Sequence, residues 1–199
     1  MIGIYGGSFD PPHIGHLGVI EHFWEVFPEC KKLLLVPNYI SPFKKAKGAS
    51  EENIIAMLEI LIRENFILNT VVEDVEIKKK QTSYTIDTIE FIKGKFPKED
   101  LYFIIGIDNL KKFPLWKEYK RILELTRLLI FDRDLGSKSD LPQELKDFSN
   151  RIEFIDNTQI DASSSVIRDL PHQKRSAYLT NQVLQYIEKE ELYGYRKTN

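Results

Sequence analysis

A chain of 199 residues with 42% hydrophobic and 12% aromatic content can bury a sizeable core in a single domain, which excludes an intrinsically disordered segment. Its formal net charge of −2 carries no global footprint for nucleic acid, and none is expected as a partner. With Cys30 alone there is no intrachain disulfide or thiolate metal cluster, and with no secretory-type leader and no run near the roughly 20 apolar residues of a membrane span, a soluble, cytoplasmic protein is expected.

Ile2 and Ile4 predict a short strand that runs into a glycine turn at Gly6 and Gly7. A helix opens after Pro11 and Pro12, and the spacing of His13 and His16 puts both imidazoles on one face of its first turn. Unpaired N–H groups of a first turn, with the positive end of the helix dipole, attract an anion, most often phosphate. The two imidazoles add donors, and the glycines let the backbone approach the ligand closely. Asp10, just before the prolines, reads as an Asx turn or a helix N-cap.

Leu17, Ile20, Phe23, Trp24 and Phe27 recur at helical spacing, so a helix is expected from Ile14 to about Phe27, ended by Pro28. Leu33 to Val36 is a continuous apolar run, the mark of a strand buried on both faces of a parallel, helix-covered sheet. The loop that follows, Pro37 to Ser50, carries Tyr39, Phe43, Lys44, Lys45 and Lys47 at the carboxyl end of that strand, where open α/β sheets bind ligands. Ser50 N-caps a second helix with Ile54, Met57, Leu58, Leu61 and Ile62 as its stripe. Val71 to Val75 predicts a third strand, and Lys78 to Lys80 a solvated loop.

Residues Ser83 to Thr88 precede a helix containing Ile89, Phe91, Ile92 and Phe96 that Pro97 terminates. Leu101 to Ile105 is the strongest strand candidate, and it delivers Gly106 and Asp108 to its carboxyl end. An aromatic segment with Phe113 and Trp116 follows, then a helix near Glu118 to Leu125, a strand from Leu128 to Phe131 ending at Arg133, and a strand near Ile152 to Ile155. Ser163, Ser164 and Ser165 open another helix with Arg168 one turn along, a set of hydroxyls and a guanidinium able to hold an anion. A helix from about Asn181 to Glu190 and a tail with Tyr193 and Tyr195 close the chain.

No G-x-S-x-G nucleophile turn and no Walker A loop is present. Two phosphate-cradling helix starts, histidines, a lysine loop, an arginine and a strand-end aspartate are parts for transfer between phosphates by positioning and charge stabilisation.

The opening segment GGSFDPPHIGH resembles the GG[ST]FDPxHxGH signature of the nucleotidyltransferase superfamily. Together with VPN…SPFKK, SYTIDTIEF, FIIGIDNL…W and SSSVIR, in that order, the chain resembles the bacterial nicotinate mononucleotide adenylyltransferases. The resemblance implies an α/β fold: a doubly wound, Rossmann-like parallel sheet with helices on both faces and a small C-terminal helical part. It implies a single nucleotidyltransferase domain over 1–199, with a helical extension from about 162.

The implied reaction joins ATP and nicotinate mononucleotide into deamido-NAD and diphosphate, with Mg2+ carried by the ATP phosphates and no protein metal site. By position, His13, His16 and Arg168 are the implied catalytic residues. ATP would be bound by Gly7, Ser8, Phe9, His16, Gly106, Asp108, Ser164, Ser165 and Arg168. The mononucleotide would meet Lys44, Thr85 and Trp116, the indole stacking on the pyridine ring. Relatives often read PPHK at Ser41 to Lys44, and His-Arg at Ile54 and Ile55. The alternatives are a pantetheine-phosphate adenylyltransferase-like enzyme and a non-catalytic nucleotide-binding regulator. Whether copies assemble into a homo-oligomer, and whether acid or amide is preferred, the sequence leaves open.

Overall fold

Side chains alternate along a strand, so an apolar run without interruption must feed two cores, one on each face of its sheet. A computed structural model of the chain, which describes residues 1–39, 48–82, 84–132, 141–156 and 162–195, shows that arrangement. In strand β2 (Lys32–Pro37), Leu33 and Leu35 join one core while Leu34 and Val36 join the other. Strand β5 (Thr126–Asp132) does the same, with Leu129 and Phe131 on the first face and Leu128 and Ile130 on the second.

The sheet has six strands in the order β3-β2-β1-β4-β5-β6, every neighbouring pair parallel. Strand β1 is Ile2–Gly7, β3 Thr70–Val72, β4 Leu101–Gly106 and β6 Ile152–Asp156. The first core is covered by helix α1 (Ile14–Val26), α2 (Glu51–Glu64) and α8 (Asn181–Lys189), through Phe23, Met57, Leu58 and Ile187. The second is covered by α3 (Val75–Lys79), α4 (Thr85–Lys95) and α6 (Tyr119–Leu125), through Val75, Ile89 and Ile122. Helix α1 lies close on β1, since a Cβ at Gly3 would sit 2.5 Å from Phe23 Cζ.

Three expectations are corrected. The third strand stops at Val72, and Val75 opens α3, where its buried side chain belongs to the second core. An apolar β-branched run hides that change of direction. Helix α4 begins at Thr85, so Ile86 and Thr88 are already buried inside it. Lys78 and Lys79, expected in a loop, form the last turn of α3, with Lys80 just beyond it. Gln143–Arg151, for which no element was expected, forms a 3-10 helix anchored by buried Leu145. The expected strand end at Arg133 and the lysines of the loop after Pro37 lie outside the described residues.

In this strand order the connection reverses direction between β1 and β4, and such a reversal opens a crevice outside the carboxyl ends of the strands. Tyr5 pairs with Ile104, which sets Gly7 and Gly106 level at that edge.

Candidate active site

Beyond Gly7 the chain turns sharply: Phe9 adopts φ +48 and is fully buried, its ring 5.4 Å from that of Tyr5 and 4.9 Å from that of His16. A Cβ at Gly7 would approach the Phe9 ring to 2.9 Å, so the glycine is needed for the aromatic support to pack beneath the turn. The Asn38 N–H donates to the Gly7 carbonyl at 2.9 Å, tying the turn to the end of β2.

His13 is the N-cap of α1, and its N–H donates to His16 Nδ1 at 3.2 Å. That bond makes Nδ1 the acceptor, so in the neutral ring the proton sits on Nε2, which can donate to an anion. The two rings stack with centroids 3.8 Å apart. His13 is buried and its Nδ1 has no hydrogen-bond partner among the described residues. Burial pulls its pKa down to about 4, and the imidazole is neutral near pH 7. Gly15 makes the stack possible, because a Cβ there would stand 3.1 Å from the His13 ring.

The expected free amides of the first turn are largely committed. Ile14 N–H donates to the Tyr178 carbonyl at 2.9 Å, and His16 N–H to the His13 carbonyl at 2.8 Å. An anion here would be met chiefly by imidazole and by the neighbouring glycine turn.

The second helix start comes to the same place. Helix α7 (Ser164–Asp169) is N-capped by Ser163, and Ser164 Oγ donates to the Pro11 carbonyl at 2.9 Å. Ser163 Oγ and Ser165 Oγ are 2.9 Å apart. Arg168 Nη1 donates to the Asp10 carbonyl oxygen and faces Asp10 Oδ2 at 3.5 Å.

Asp10 is neither an Asx turn nor an N-cap. Its buried carboxylate accepts the Gly48 and Ala49 N–H groups at 2.7 and 3.1 Å and the Tyr193 hydroxyl at 2.7 Å, besides facing Arg168. Local reading favoured a turn because every one of these partners is remote in the chain. Burial and then the Asp10 charge push the Tyr193 phenol far above its ordinary range, so it stays a donor. Asn38, Gly15, Gly48, Arg175 and Tyr193 were given no role from the sequence; the glycine inside H-x-G-H and the asparagine of VPN were the visible signals among them.

His13, His16, Gly7, Ser8, Phe9, Ser164, Ser165 and Arg168 thus share one neighbourhood. Gly106 and Asp108 are exposed at the end of β4, beside β1, and Asp108 lies in the short helix α5 (Ile107–Leu110). Trp116 is half-buried against Phe113 and Phe103, at ring distances of 5.2 and 6.2 Å, on the opposite face of the sheet from α1. Thr85 opens α4 close by: Lys117 sits 4.6 Å over the Tyr84 ring and 3.6 Å from Asp87. Lys44 lies outside the described residues. Among the described residues no group of three or more His, Cys, Asp or Glu is placed to hold a metal ion, and no helix is long and apolar enough to cross a membrane.

A six-stranded doubly wound sheet with two helix starts meeting over its switch point defines the class: an α/β domain built to hold a ligand at the carboxyl ends of its strands. The model of the cytidylyltransferase-like family matches residues 4–170. The chain is 36% identical over 196 residues to a probable nicotinate-nucleotide adenylyltransferase of Leptospira borgpetersenii serovar Hardjo-bovis (strain JB197), covering 98% of this chain and 97% of the relative. It is 33% identical over 174 residues to one from Aquifex aeolicus (strain VF5), covering 81% and 98%. The structure of Plasmodium falciparum nicotinic acid mononucleotide adenylyltransferase complexed with NaAD superposes with a TM-score of 0.82 at 20% identity, over 98% of each chain. The chain belongs to the cytidylyltransferase-like family, among its nicotinate-nucleotide adenylyltransferases.

Proposed function

We propose that this chain transfers the adenylyl group of ATP to nicotinate mononucleotide, giving deamido-NAD and diphosphate in the biosynthesis of NAD. A phosphate oxygen of the mononucleotide attacks the α-phosphorus of ATP in line, the bond from that phosphorus to the bridging oxygen breaks, and diphosphate leaves. One observation carries the reading: helix starts 153 residues apart are joined by the Ser164 to Pro11 hydrogen bond, with Arg168 against Asp10 beside it. That meeting makes a single site with imidazoles on one wall and hydroxyls and a guanidinium on the other.

In this reading His16 Nε2–H and the His13 imidazole meet the α-phosphate, where negative charge grows in the transition state. Backbone N–H groups of Gly7, Ser8 and Phe9 cradle the joined phosphates. Ser164, Ser165 and Arg168 hold the β- and γ-phosphates. Gly106 and Asp108 meet the adenosine, and Lys44, Thr85 and Trp116 the mononucleotide. The Asp10 carboxylate is already engaged by two amides, a hydroxyl and a guanidinium, so the donor set fits a divalent cation that arrives on the substrate's own oxygens. Magnesium supplied in that way neutralises phosphate charge. The reaction is assigned to one domain of residues 1–199, whose helices from residue 162 onward serve the same site.

The test is diphosphate release from ATP with nicotinate mononucleotide, run beside nicotinamide mononucleotide and pantetheine phosphate. Turnover fastest with nicotinate mononucleotide supports the assignment. Retained ATP binding with no release above background would instead make the chain a nucleotide-binding regulator.

A further inference from the structure

Tyr193 and Arg175 lie outside both helix starts, yet each is bonded to the machinery around Arg168. The Tyr193 hydroxyl donates to Asp10 Oδ1 at 2.7 Å, and Oδ2 of the same carboxylate faces Arg168 Nη1 at 3.5 Å. Gly48 closes the contact from the third side, for a Cβ there would stand 2.8 Å from Arg168 Cδ and 2.9 Å from Tyr193 Cε1. Tyr193 holds φ +54 and ψ 40, a conformation that a residue with a bulky side chain keeps where surrounding contacts impose it.

Arg175 is buried at 6% exposure. Its Nη2 donates to the Arg168 carbonyl at 2.8 Å and to the Tyr193 carbonyl at 2.9 Å, and its Nε to the Leu170 carbonyl at 3.1 Å. Among the described residues its Nη1 has no hydrogen-bond partner. A buried cation that meets carbonyls instead of a carboxylate is a costly way to fasten a chain end. What it fastens is the main chain of Arg168 itself, in a helix of six residues that is too short to hold its own register.

We propose that Tyr193 and Arg175 are positioning residues for Arg168: one acts through the Asp10 carboxylate on the guanidinium, the other through the Arg168 carbonyl, so the C-terminal turn sets the cation that meets the ATP phosphates. This rests on the phosphate role given to Arg168 under Proposed function.

Tyr193→Phe keeps the ring against Gly48 and removes the hydroxyl alone. Expected is a rise of about tenfold in the KM for ATP, the size of a lost hydrogen bond to a charged group, with the KM for the mononucleotide unchanged; the donor lost to the buried carboxylate also lowers Tm by a few degrees, so the split between substrates is the diagnostic readout. In an Arg168→Ala background the same substitution should change the ATP parameters by less than about twofold, because the side chain being positioned is gone. Arg175→Lys keeps the charge but not the forked geometry and should show the same split between substrates. Should Arg175→Lys fail to fold, Arg175→Gln, which still donates to a carbonyl, takes its place, and an equal rise in the KM of both substrates would remove Arg175 from the positioning set. Equal, independent effects of Tyr193→Phe in both backgrounds, or unchanged ATP kinetics in the single variant, would overturn the positioning role. ATP kinetics untouched by Arg168→Ala would overturn the phosphate role beneath it instead.

Discussion

Ser164 Oγ donates to the carbonyl oxygen of Pro11 at 2.9 Å, and that bond holds the serine-bearing helix start against the histidine-bearing one. Pro11 is buried, so Ser164→Ala strands its carbonyl at a cost of about 1–2 kcal/mol. For a chain of this size the expected drop in Tm is about 2–8 °C, with a higher KM for ATP. Ser165→Ala removes an exposed hydroxyl paired to Ser163 and should leave Tm unchanged. Calorimetry and steady-state rates on both variants check this; equal Tm losses would detach the Ser164 bond from the joining of the two starts.

His13 makes stability depend on pH. Its imidazole is held at about 4 by burial, while in the unfolded chain it titrates near the ordinary 6.5. Between those values the unfolded state binds a proton that the folded state refuses, so stability is complete above about 6.5 and falls as pH drops toward 4. The loss is on the order of 3 kcal/mol. Urea unfolding of the wild type and of His13→Asn across this range should show the wild type losing the extra stability; parallel curves would count against a buried neutral imidazole.

His16 separates folding from chemistry. Asn at this position carries its amide oxygen near where Nδ1 accepts the His13 N–H, but has nothing to offer where Nε2 stands. His16→Asn should therefore lower kcat by about 100-fold, the effect of losing one preorganised donor. His16→Gln, which reaches further, should recover part of that loss. Equal turnover in wild type and His16→Asn would remove His16 from the charge-stabilising set.

Gly15→Ala sets helix propensity against site geometry. In a helix the change gains about 1 kcal/mol, but the new Cβ stands 3.1 Å from the His13 ring and 3.4 Å from Ala162 Cβ. The ring is stacked 3.8 Å from His16 and has little room to retreat. We expect stability within about 1 kcal/mol of wild type and a kcat lowered about tenfold or more as the His13 ring is pushed aside. Wild-type turnover in this variant would mean that the stack tolerates displacement.

Much of the framework was legible because its signals are short in range. The run from Leu33 to Val36 predicts a doubly buried strand, and both cores take side chains from it. Ser50 predicts a cap, and its hydroxyl accepts the Asn53 N–H at 3.3 Å. Val75 misled, since a β-branched residue after Val71 and Val72 continues a strand pattern even where the chain has turned into a helix. Asp10 misled in the same way: beside two prolines a carboxylate looks like local punctuation, and nothing within ten residues shows that Gly48, Arg168 and Tyr193 converge on it.

By itself the sequence determined the repeating and adjacent features: strand and helix periods, the glycine turn, the paired imidazoles and the order of motifs that marks the family. These depend on neighbours one to four residues away, which the chain carries in any conformation. Tertiary structure alone decided that His13 is neutral, that the amides of α1 are largely spent, and that Asp10 and Arg175 clasp Arg168. Desolvation and bonds between distant residues exist only where the fold encloses a volume, and no spacing along the chain records them.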